Sequence, residues 1–176
     1  MHLLKRGFTL IELMVVIAII GILAGIVLAA LGGTRTSSKD AHRISEIRQI
    51  RYALAIYYNT NGVYPCALYS GGSCVSTLQG SPAMPKVPKD PSGANYSYAA
   101  IGSIGNCSGY HLGASLEDKN NQVLQADADA AVAGSLCTNS PADFSGLSAV
   151  TAGGACNTTV GTAQPSGTET CYDATQ

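Results

Sequence analysis

The sequence has few charged residues and no tryptophan, and these absences narrow the classes of protein it can belong to. Only 12% of its 176 residues are charged, about half the roughly 25% usual in soluble domains. The formal net charge is −1, which argues against a basic nucleic-acid-binding protein. Hydrophobic residues make up 46% of the chain, too many for a chain disordered throughout. A wholly cytosolic soluble enzyme also fits this composition poorly.

Proline and cysteine are missing from the first 60 residues, although the chain contains seven prolines and six cysteines. A long apolar run stands there instead: 20 of the 26 residues from 8 to 33 are apolar, and one, Glu12, is charged. As an α-helix this run would be about 39 Å long at roughly 1.5 Å per residue, enough to cross a hydrocarbon core of about 30 Å. The sequence therefore predicts a transmembrane helix near the amino terminus.

A cleaved secretory signal is the alternative for this segment. Such a signal has an apolar region of about 7–15 residues, followed by a small-residue cleavage site. The run in this chain is longer, and it carries a carboxylate one helical turn from its start. A helix that stays in the membrane is therefore favoured over a secretory signal.

The residues at the start of the run carry a specific resemblance. Lys5-Arg6-Gly7-Phe8-Thr9-Leu10-Ile11-Glu12-Leu13 resembles the class III signal of type IV pilins and type II secretion pseudopilins. In that family a membrane-embedded prepilin peptidase cuts after the glycine and methylates the new amino-terminal phenylalanine. The resemblance implies cleavage between Gly7 and Phe8, with Phe8 as the N-methylated end. Because the cut precedes the apolar run, the product would still be held in the membrane.

Glu12 is an ionisable residue inside the predicted membrane segment, where an isolated carboxylate is costly. After cleavage the ammonium of Phe8 would lie one helical turn away, so the two groups could pair within one chain. The resemblance implies instead that Glu12 meets the ammonium of an adjacent subunit during filament assembly and sets the axial register, a role open to a buried ion pair. The remaining alternative is a side chain that extends to the lipid headgroups.

From residue 34 to residue 58 the polarity rises, but apolar residues still recur at spacings of three and four, which predicts that the helix continues. These residues are Ala41, Ile44, Ile47, Ile50 or Arg51, Leu54 and Tyr57. One face should cover a small domain. The other faces carry charges that are expected either to be solvated or to pair between filament subunits; they belong to Arg43, Glu46, Arg48 and Arg51. Asn61-Gly62, followed by Pro65, predicts the end of the helix.

Beyond the helix the chain is rich in Gly, Ser and Pro, and two short segments, 96–101 and 110–114, read as strands. The proline-punctuated loop over 85–93 is similar to the loop that precedes the sheet in major pseudopilins. The expected fold class is α+β. It consists of a long amino-terminal helix, membrane-spanning in its first half, packed on a small antiparallel-sheet head with a loop-rich, disulfide-stapled carboxyl-terminal region.

Four regions follow from these boundaries. Residues 1–7 are the leader peptide, and residues 8–33 are the transmembrane and polymerisation half of the helix. Residues 34–60 are its amphipathic half, and residues 61–176 form the globular head.

All six cysteines lie in the head: Cys66, Cys74, Cys107, Cys137, Cys156 and Cys171. No CxxC pair occurs, which argues against a zinc ribbon or a thioredoxin-type site, and the even number predicts a disulfide framework formed in an oxidising compartment. Six cysteines allow many connectivities, and the sequence does not choose among them. Sequential pairing, Cys66–Cys74, Cys107–Cys137 and Cys156–Cys171, is the working expectation.

The sequence gives conflicting signals about which side of the membrane the carboxyl-terminal part of the chain occupies. Two basic residues precede the span and four follow it closely, so the positive-inside rule would place the carboxyl side in the cytoplasm. The resemblance and the cysteines both favour the reverse. The expected protein is therefore a single-pass cytoplasmic-membrane protein with an extracytoplasmic head, and the assembled filament would be periplasmic or extracellular.

The region after residue 110 is acidic, with seven carboxylates against one lysine. Asp127 and Asp129, with Glu117, Asp118 and Asn120 nearby, offer the hard oxygen ligands that calcium uses. Major pseudopilins are similar in having a calcium-binding loop after the sheet. The spacing matches no EF-hand, and a solvated acidic surface is the alternative. No cofactor is expected to be required, and calcium is the candidate ligand.

Catalytic motifs are missing. The three histidines, at positions 2, 42 and 111, accompany no G-x-S-x-G sequence, and no Walker sequence is present. His111 is expected to be a structural strand residue, and the chain is not expected to be an enzyme. The basic residues from 35 to 51 could form an electrostatic patch for DNA, but the family geometry would bury them in a filament, so nucleic acid is not an expected partner.

These observations lead to a structural protein. The expected function is that of a pilin-like or major-pseudopilin-like subunit of a type IV filament, serving either type II protein secretion or a type IV pilus. The expected partners are further copies of the chain, related minor subunits, prepilin peptidase, an assembly-platform membrane protein and the cytoplasmic membrane. The alternative is a monomeric, membrane-anchored, extracytoplasmic binding domain that uses the span only as a tether.

Overall fold

A long helix followed by a small sheet accounts for most of the regular structure. The computed structural model describes residues 9–71, 73–103, 105–128, 135–137, 139–141, 156 and 170–176. In chain order the elements are α1 (Leu10–Asn61), β1 (Ser97–Ser103), β2 (Asn106–Ser115), a short 3-10 helix (Gln122–Gln125) and β3 (Cys171–Thr175). The chain divides into two compact units, and the boundary between them along the chain lies between Ser37 and Ser38. The predicted α+β class is confirmed.

The first unit contains the apolar part of α1. Its large apolar side chains, from Leu10 to Leu28, are all exposed. An 18-residue window of this helix has a mean hydropathy of 3.0, and none of that window is buried. Because the cost of leaving apolar surface in water grows with its area, this segment requires an apolar environment that the chain's described residues do not supply.

The second unit contains the other part of α1, which has one buried face. Ile47, Ile50 and Leu54 are fully buried at spacings of three and four, so the predicted stripe is right at these positions. Ala41, which the pattern included, is exposed. Asn61 ends the helix as predicted, since Gly62 adopts a left-handed φ of +73° and donates its backbone N–H to the Tyr58 carbonyl over 2.7 Å, a common carboxyl-terminal cap.

Two charged residues on α1 were expected on its solvated or intersubunit faces, and this prediction is wrong for both. Arg43 is 4% exposed and Glu46 is 9% exposed. Asp40, which the pattern did not single out, is fully buried. Positions 40, 43, 47, 50 and 54 follow one another at helical spacing, so the buried face continues through charged residues. Their charges are tolerated there because the head supplies partners, described below.

The sheet has three antiparallel strands in the order β1-β2-β3. β1 pairs with β2 from Ser97↔Gly113 to Ile101↔Gly109, and the register then shifts before Ser103. Both strands overlap the segments predicted from the sequence, 96–101 and 110–114, whereas β3 was not predicted. At the irregularity Gly102 has a φ of +146°, and a Cβ there would lie 2.2 Å from the Asn106 carbonyl oxygen. Only glycine fits this position without a shift of the backbone.

The core lies between the buried face of α1 and the sheet, and it is rich in tyrosine. Ile47, Ile50 and Leu54 share one cluster with side chains of β1 and β2. Four tyrosine rings stack or meet edge to face in succession, with centroids 4.6 to 6.3 Å apart; they belong to Tyr58, Tyr64, Tyr110 and Tyr98. The buried Tyr98 hydroxyl donates to the Pro65 carbonyl over 2.7 Å, because a buried hydroxyl must find an acceptor.

All six cysteines form disulfides, and the pairing is the sequential one: Cys66–Cys74, Cys107–Cys137 and Cys156–Cys171. The second bridge fixes the segment at Cys137 beside β1, where the Cys137 N–H donates to the Ala100 carbonyl over 3.0 Å. The third ties Cys156 to the first residue of β3. Two of the three bridges therefore attach loops to the sheet, which replaces apolar packing that a small core lacks.

Candidate functional site

The first candidate site is the start of α1. Gly7 and Phe8, the predicted cleavage and methylation positions, lie outside the described residues. Thr9 and Glu12 bond each other reciprocally: the Thr9 backbone N–H and hydroxyl both donate to Glu12 Oε2, over 2.8 and 2.7 Å, and the Glu12 N–H donates to Thr9 Oγ1 over 3.3 Å. This arrangement is a capping box. It satisfies backbone N–H groups that would be very costly to leave bare in a membrane.

The capping box was not predicted, although its signature is legible in the sequence. Thr9-Leu10-Ile11-Glu12 has a hydroxyl residue three positions before a glutamate and directly before an apolar run, which is the pattern of such a cap. Glu12 is exposed, and no cation pairs with it among the described residues. The Glu12 carboxylate therefore caps its own helix and is also accessible to a positive charge from another molecule.

The second candidate site joins α1 to the head through Arg43. The guanidinium bonds Asp40 on its own helix over 2.7 Å, Asp90 of the proline-rich loop over 2.5 Å and Glu117 after β2 over 3.1 Å. Lys39 adds a 3.2 Å contact to the same Glu117 oxygen. We refer to Arg43, Asp40, Asp90 and Glu117 as the Arg43 cluster.

Charge and hydrogen bonding stabilise the ionised forms of this cluster. Burial opposes ionisation of Asp90, but the hydrogen bonds from Arg43 and Ser92 outweigh it and lower the pKa of Asp90 to about 2. The hydrogen bond to Asp90 raises the pKa of Arg43 despite its burial. Asp40 also accepts the backbone N–H groups of Glu117 and Asp118, over 2.9 and 2.8 Å. The cluster is thus a polar clamp between α1 and two loops.

A neighbouring pair ties α1 to the start of the sheet. The Tyr96 hydroxyl donates to Glu46, and His42, one turn earlier on α1, lies 3.4 Å from the same carboxylate. Burial, reinforced by the Glu46 carboxylate, raises the pKa of Tyr96. The Tyr96 N–H in turn donates to the Tyr69 hydroxyl over 3.2 Å. The Tyr96 hydroxyl thus gives the Glu46 carboxylate a hydrogen-bond donor in its buried position.

His111 and Asp173 form a fully buried pair between β2 and β3. The His111 Nε2 lies 2.8 Å from Asp173 Oδ2, and the other Asp173 oxygen accepts the Ala128 N–H over 3.1 Å. His111 is a structural strand residue, as predicted. From the sequence, Asp173 was counted only among the seven carboxylates after residue 110, and the pairing shows why an aspartate occurs in the middle of β3.

The calcium prediction concerned Asp127 and Asp129. Asp129 lies outside the described residues. Asp127 lies beside β3, where its Oδ2 accepts the Asp173 N–H over 3.2 Å. Within the described part of the chain, no group of three or more His, Cys, Asp or Glu side chains is arranged to hold a metal ion. The arrangement of Asp127 is that of a side chain capping the backbone of an edge strand.

Comparison with known proteins gives this geometry a family. Residues 4–28 match the model of the prokaryotic N-terminal methylation motif. The type II secretion system core protein G of Vibrio cholerae is 33% identical over 119 residues, which cover 62% of this chain and 81% of that protein. The core protein G of Pseudomonas aeruginosa is 35% identical over 119 residues, covering 62% of this chain and 84% of the relative. The chain belongs to the type II secretion system core protein G family.

Membership in the core protein G family confirms the resemblance seen at residues 5–13 and resolves an alternative that the sequence left open. The relatives belong to type II secretion systems, so the interpretation as a type II secretion pseudopilin is favoured over that as a pilus subunit. The Klebsiella pneumoniae core protein G shows the same pattern, with 32% identity over 118 residues that cover 62% of this chain and 84% of that protein. No solved structure matches the chain.

Proposed function

We propose that this core protein G family member is a structural, non-enzymatic subunit of the type II secretion pseudopilus. Prepilin peptidase cleaves it between Gly7 and Phe8 and methylates Phe8. The mature chain is anchored in the cytoplasmic membrane by residues 8–33, with residues 61–176 as an extracytoplasmic head. It then polymerises through α1 with further copies and related minor subunits on an assembly-platform membrane protein.

One observation carries the proposal: the methylation motif, residues 4–28, contains a helix segment whose large apolar side chains from Leu10 to Leu28 are exposed and whose single charge is Glu12. A tether to the membrane would need the apolar length but not the carboxylate, because a charge in hydrocarbon is costly. The motif and the carboxylate together support a helix that is first held in lipid and later packed against other helices. This combination favours a polymerising subunit over a monomeric anchored binding domain.

The processing step can be tested directly. The full chain is co-expressed with a prepilin peptidase, and the mature amino terminus is measured by mass spectrometry. We expect N-methylated Phe8, because Gly7-Phe8 occupies the cleavage position of the motif. A Gly7→Val variant is the matched control and should retain Met1. A wild-type chain that still begins at Met1, or that is cut near Ala30, would rule out the filament subunit.

The role of Glu12 can be separated from helix capping by two variants. Glu12→Ala removes both the charge and the cap, whereas Glu12→Gln removes the charge but keeps a residue that completes a capping box equally well. If Glu12 pairs with the Phe8 ammonium of the adjacent subunit, both variants should remain membrane-bound and folded but fail to assemble. Filaments are counted by electron microscopy of sheared cell-surface material. Normal filaments from Glu12→Gln would assign Glu12 to capping alone.

A further inference from the structure

A cavity away from both sites described above lies between α1, the segment that follows it and β2. Its volume is about 290 Å³, and its lining includes Arg48 and Arg51 of α1, Tyr64, and Tyr110 of β2. The two arginines are three residues apart, so they lie on the same side of the helix. We call these four residues the Arg–Tyr cavity. Its volume is close to the lower end of the range for small-ligand pockets, about 300–1,000 Å³.

The guanidinium groups of the cavity keep their charges unpaired. Arg48 and Arg51 are both exposed, and neither makes a salt bridge with any residue that the structure describes. Arg43, on the same helix, bonds three carboxylates. The described residues that line the cavity include no aspartate or glutamate. Two positive charges therefore border one cavity, and each guanidinium carries the fork of N–H donors that fits an oxyanion.

The tyrosines add two hydroxyl groups with unused hydrogen-bonding capacity. Tyr64 is 4% exposed and Tyr110 is 2% exposed, yet neither hydroxyl bonds a residue in the described part of the chain, whereas the Tyr98 hydroxyl donates to Pro65. Neither is a fully enclosed atom without a partner, so each hydroxyl reaches open space at the cavity that its residue lines. Buried hydroxyls normally have partners, so two of them beside one cavity point to a ligand that accepts their hydrogen bonds.

The two tyrosine rings are held in place by the fold. They meet edge to face with centroids 4.9 Å apart, and the Tyr64 N–H donates to the Cys107 carbonyl over 2.8 Å. Burial, reinforced by the nearby Tyr110 and Tyr58, raises the pKa of Tyr64, so its hydroxyl stays protonated at neutral pH and remains a donor. Donors that are already in position lower the cost of ordering groups on binding.

The chemistry of the lining selects the ligand. Guanidinium groups bind phosphate oxygens through paired N–H donors. A carboxylate would balance one of the two arginine charges, whereas a phosphate group, with up to two charges at neutral pH, can balance both. We propose that the Arg–Tyr cavity binds a phosphate group, supplied either by free phosphate or by the headgroup of an anionic phospholipid. The inference goes beyond the proposed function and does not depend on it, because one unassembled chain contains all four residues.

Removing single hydroxyl groups tests the site. The full chain, in a detergent with an uncharged headgroup, is titrated with inorganic phosphate at constant ionic strength in a calorimeter. We expect saturable binding of one phosphate per chain. Tyr64→Phe and Tyr110→Phe should each raise the dissociation constant about tenfold, the effect of losing one hydrogen bond to a charged group. Both variants should fold, because the deleted oxygen bonds no described residue.

Tyr58→Phe is the matched control, because its ring stacks on Tyr64 at 4.6 Å but Tyr58 does not line the cavity. It should bind phosphate as tightly as wild type. The proposal is overturned if wild type shows no saturable binding, if both cavity variants bind like wild type, or if Tyr58→Phe weakens binding equally. Near-ultraviolet circular dichroism of each variant checks that the tyrosine cluster is still packed.

A pair of double variants separates this cavity from a general attraction of anions to basic residues. Arg48→Gln/Arg51→Gln should abolish saturable binding. Lys86→Gln/Lys89→Gln removes the same charge at two exposed positions outside the cavity and should leave the dissociation constant near the wild-type value. Equal losses from the two double variants would overturn the proposal.

Nanodiscs identify the source of the phosphate group. The full chain is placed in phosphatidylcholine discs, in discs that also contain phosphatidic acid, and in discs that contain a fatty acid at equal surface charge. A lower apparent affinity for free phosphate in the phosphatidic acid discs alone would show that a headgroup occupies the cavity. Equal affinity in all three would support free phosphate as the ligand, and no saturable binding in any of them would overturn the site.

Discussion

At the scale of single residues, the fold depends on charges that the head has partly removed from water. Arg43 holds Asp40, Asp90 and Glu117, which belong to three separate parts of the chain. Burying a charge is costly unless it is paired, and breaking such a pair costs more than the pair contributes, because the remaining charge stays buried without compensation. The cluster therefore fixes where the loops attach to α1 more than it adds net stability.

The lowered pKa of Asp90 makes this clamp sensitive to acid. Its pKa is about 2 in the folded state against an ordinary value of 3.8. Ionised Asp90 therefore makes its full contribution to stability at pH values above its ordinary pKa of 3.8. This contribution is lost as the pH falls to the folded-state pKa of about 2 and below it. We expect the free energy of unfolding to fall by about 2 kcal/mol from this residue between about pH 5 and pH 2.

Asp90→Asn tests this prediction. The variant should be less stable than wild type at pH 7 by about 2 kcal/mol and should lose less stability between pH 5 and pH 2, because it has no proton to take up there. All nine tyrosines lie at or after Tyr52 and the chain has no tryptophan, so near-ultraviolet circular dichroism of the full chain in detergent reports on the second unit. Asp118→Asn is the matched control. A pH profile of Asp90→Asn parallel to wild type would contradict the lowered pKa.

At the scale of elements, one helix satisfies two different requirements. Its first part leaves its apolar side chains exposed from Leu10 to Leu28, whereas its second part buries a narrow stripe against the sheet. Periodicity of apolar residues located the stripe from Ile44 to Leu54. It could not extend the stripe to Asp40 and Arg43, because an apolar pattern gives polar residues no weight. Continuing the spacing of three and four back from Ile47 would have marked both positions.

The strands show the same division between local and distant information. β1 and β2 are short and are separated by a turn that contains Gly105 at a φ of +78°, so the local sequence was enough to predict them. β3 is short, carries Asp173 in its middle and pairs with β2 far along the chain. This polar residue is acceptable in the interior only because His111, on the neighbouring strand, bonds it, and no local signal reveals that partner.

At the scale of the whole molecule, disulfides supply part of the stability that a larger apolar core would give. The bridges enclose loops of different length, with sequence separations of 8, 30 and 15 residues for Cys66–Cys74, Cys107–Cys137 and Cys156–Cys171. A cross-link that closes a longer loop restricts the unfolded chain more. The bridge at Cys137 also holds a segment against β1, which covers backbone groups at that edge of the sheet.

Serine pairs give a direct comparison of two bridges. Cys107→Ser/Cys137→Ser should destabilise the second unit by about 3–4 kcal/mol, and Cys66→Ser/Cys74→Ser by about 1 kcal/mol less, because the second pair closes the shorter loop. Thermal unfolding of the full chain, followed by the tyrosine signal, measures the loss of stability in both variants. Reducing all three disulfides of the wild type should cause a larger loss than either variant shows. An equal or larger loss from the Cys66 pair would show that loop length does not govern the effect.

The sequence by itself determined the membrane segment, the processing motif with its single carboxylate, the end of α1 and two of the three strands. These features are local: they depend on apolar length, helical or strand spacing, and turn residues within a few positions. Only the tertiary structure decided that Arg43 and Glu46 are buried, that Asp173 pairs with His111, and which of the possible disulfide pairings forms. Each of these depends on a partner between 8 and 74 residues away along the chain. A charged side chain is acceptable in the interior when that partner is present and costly when it is absent, and the folded chain alone brings the two together.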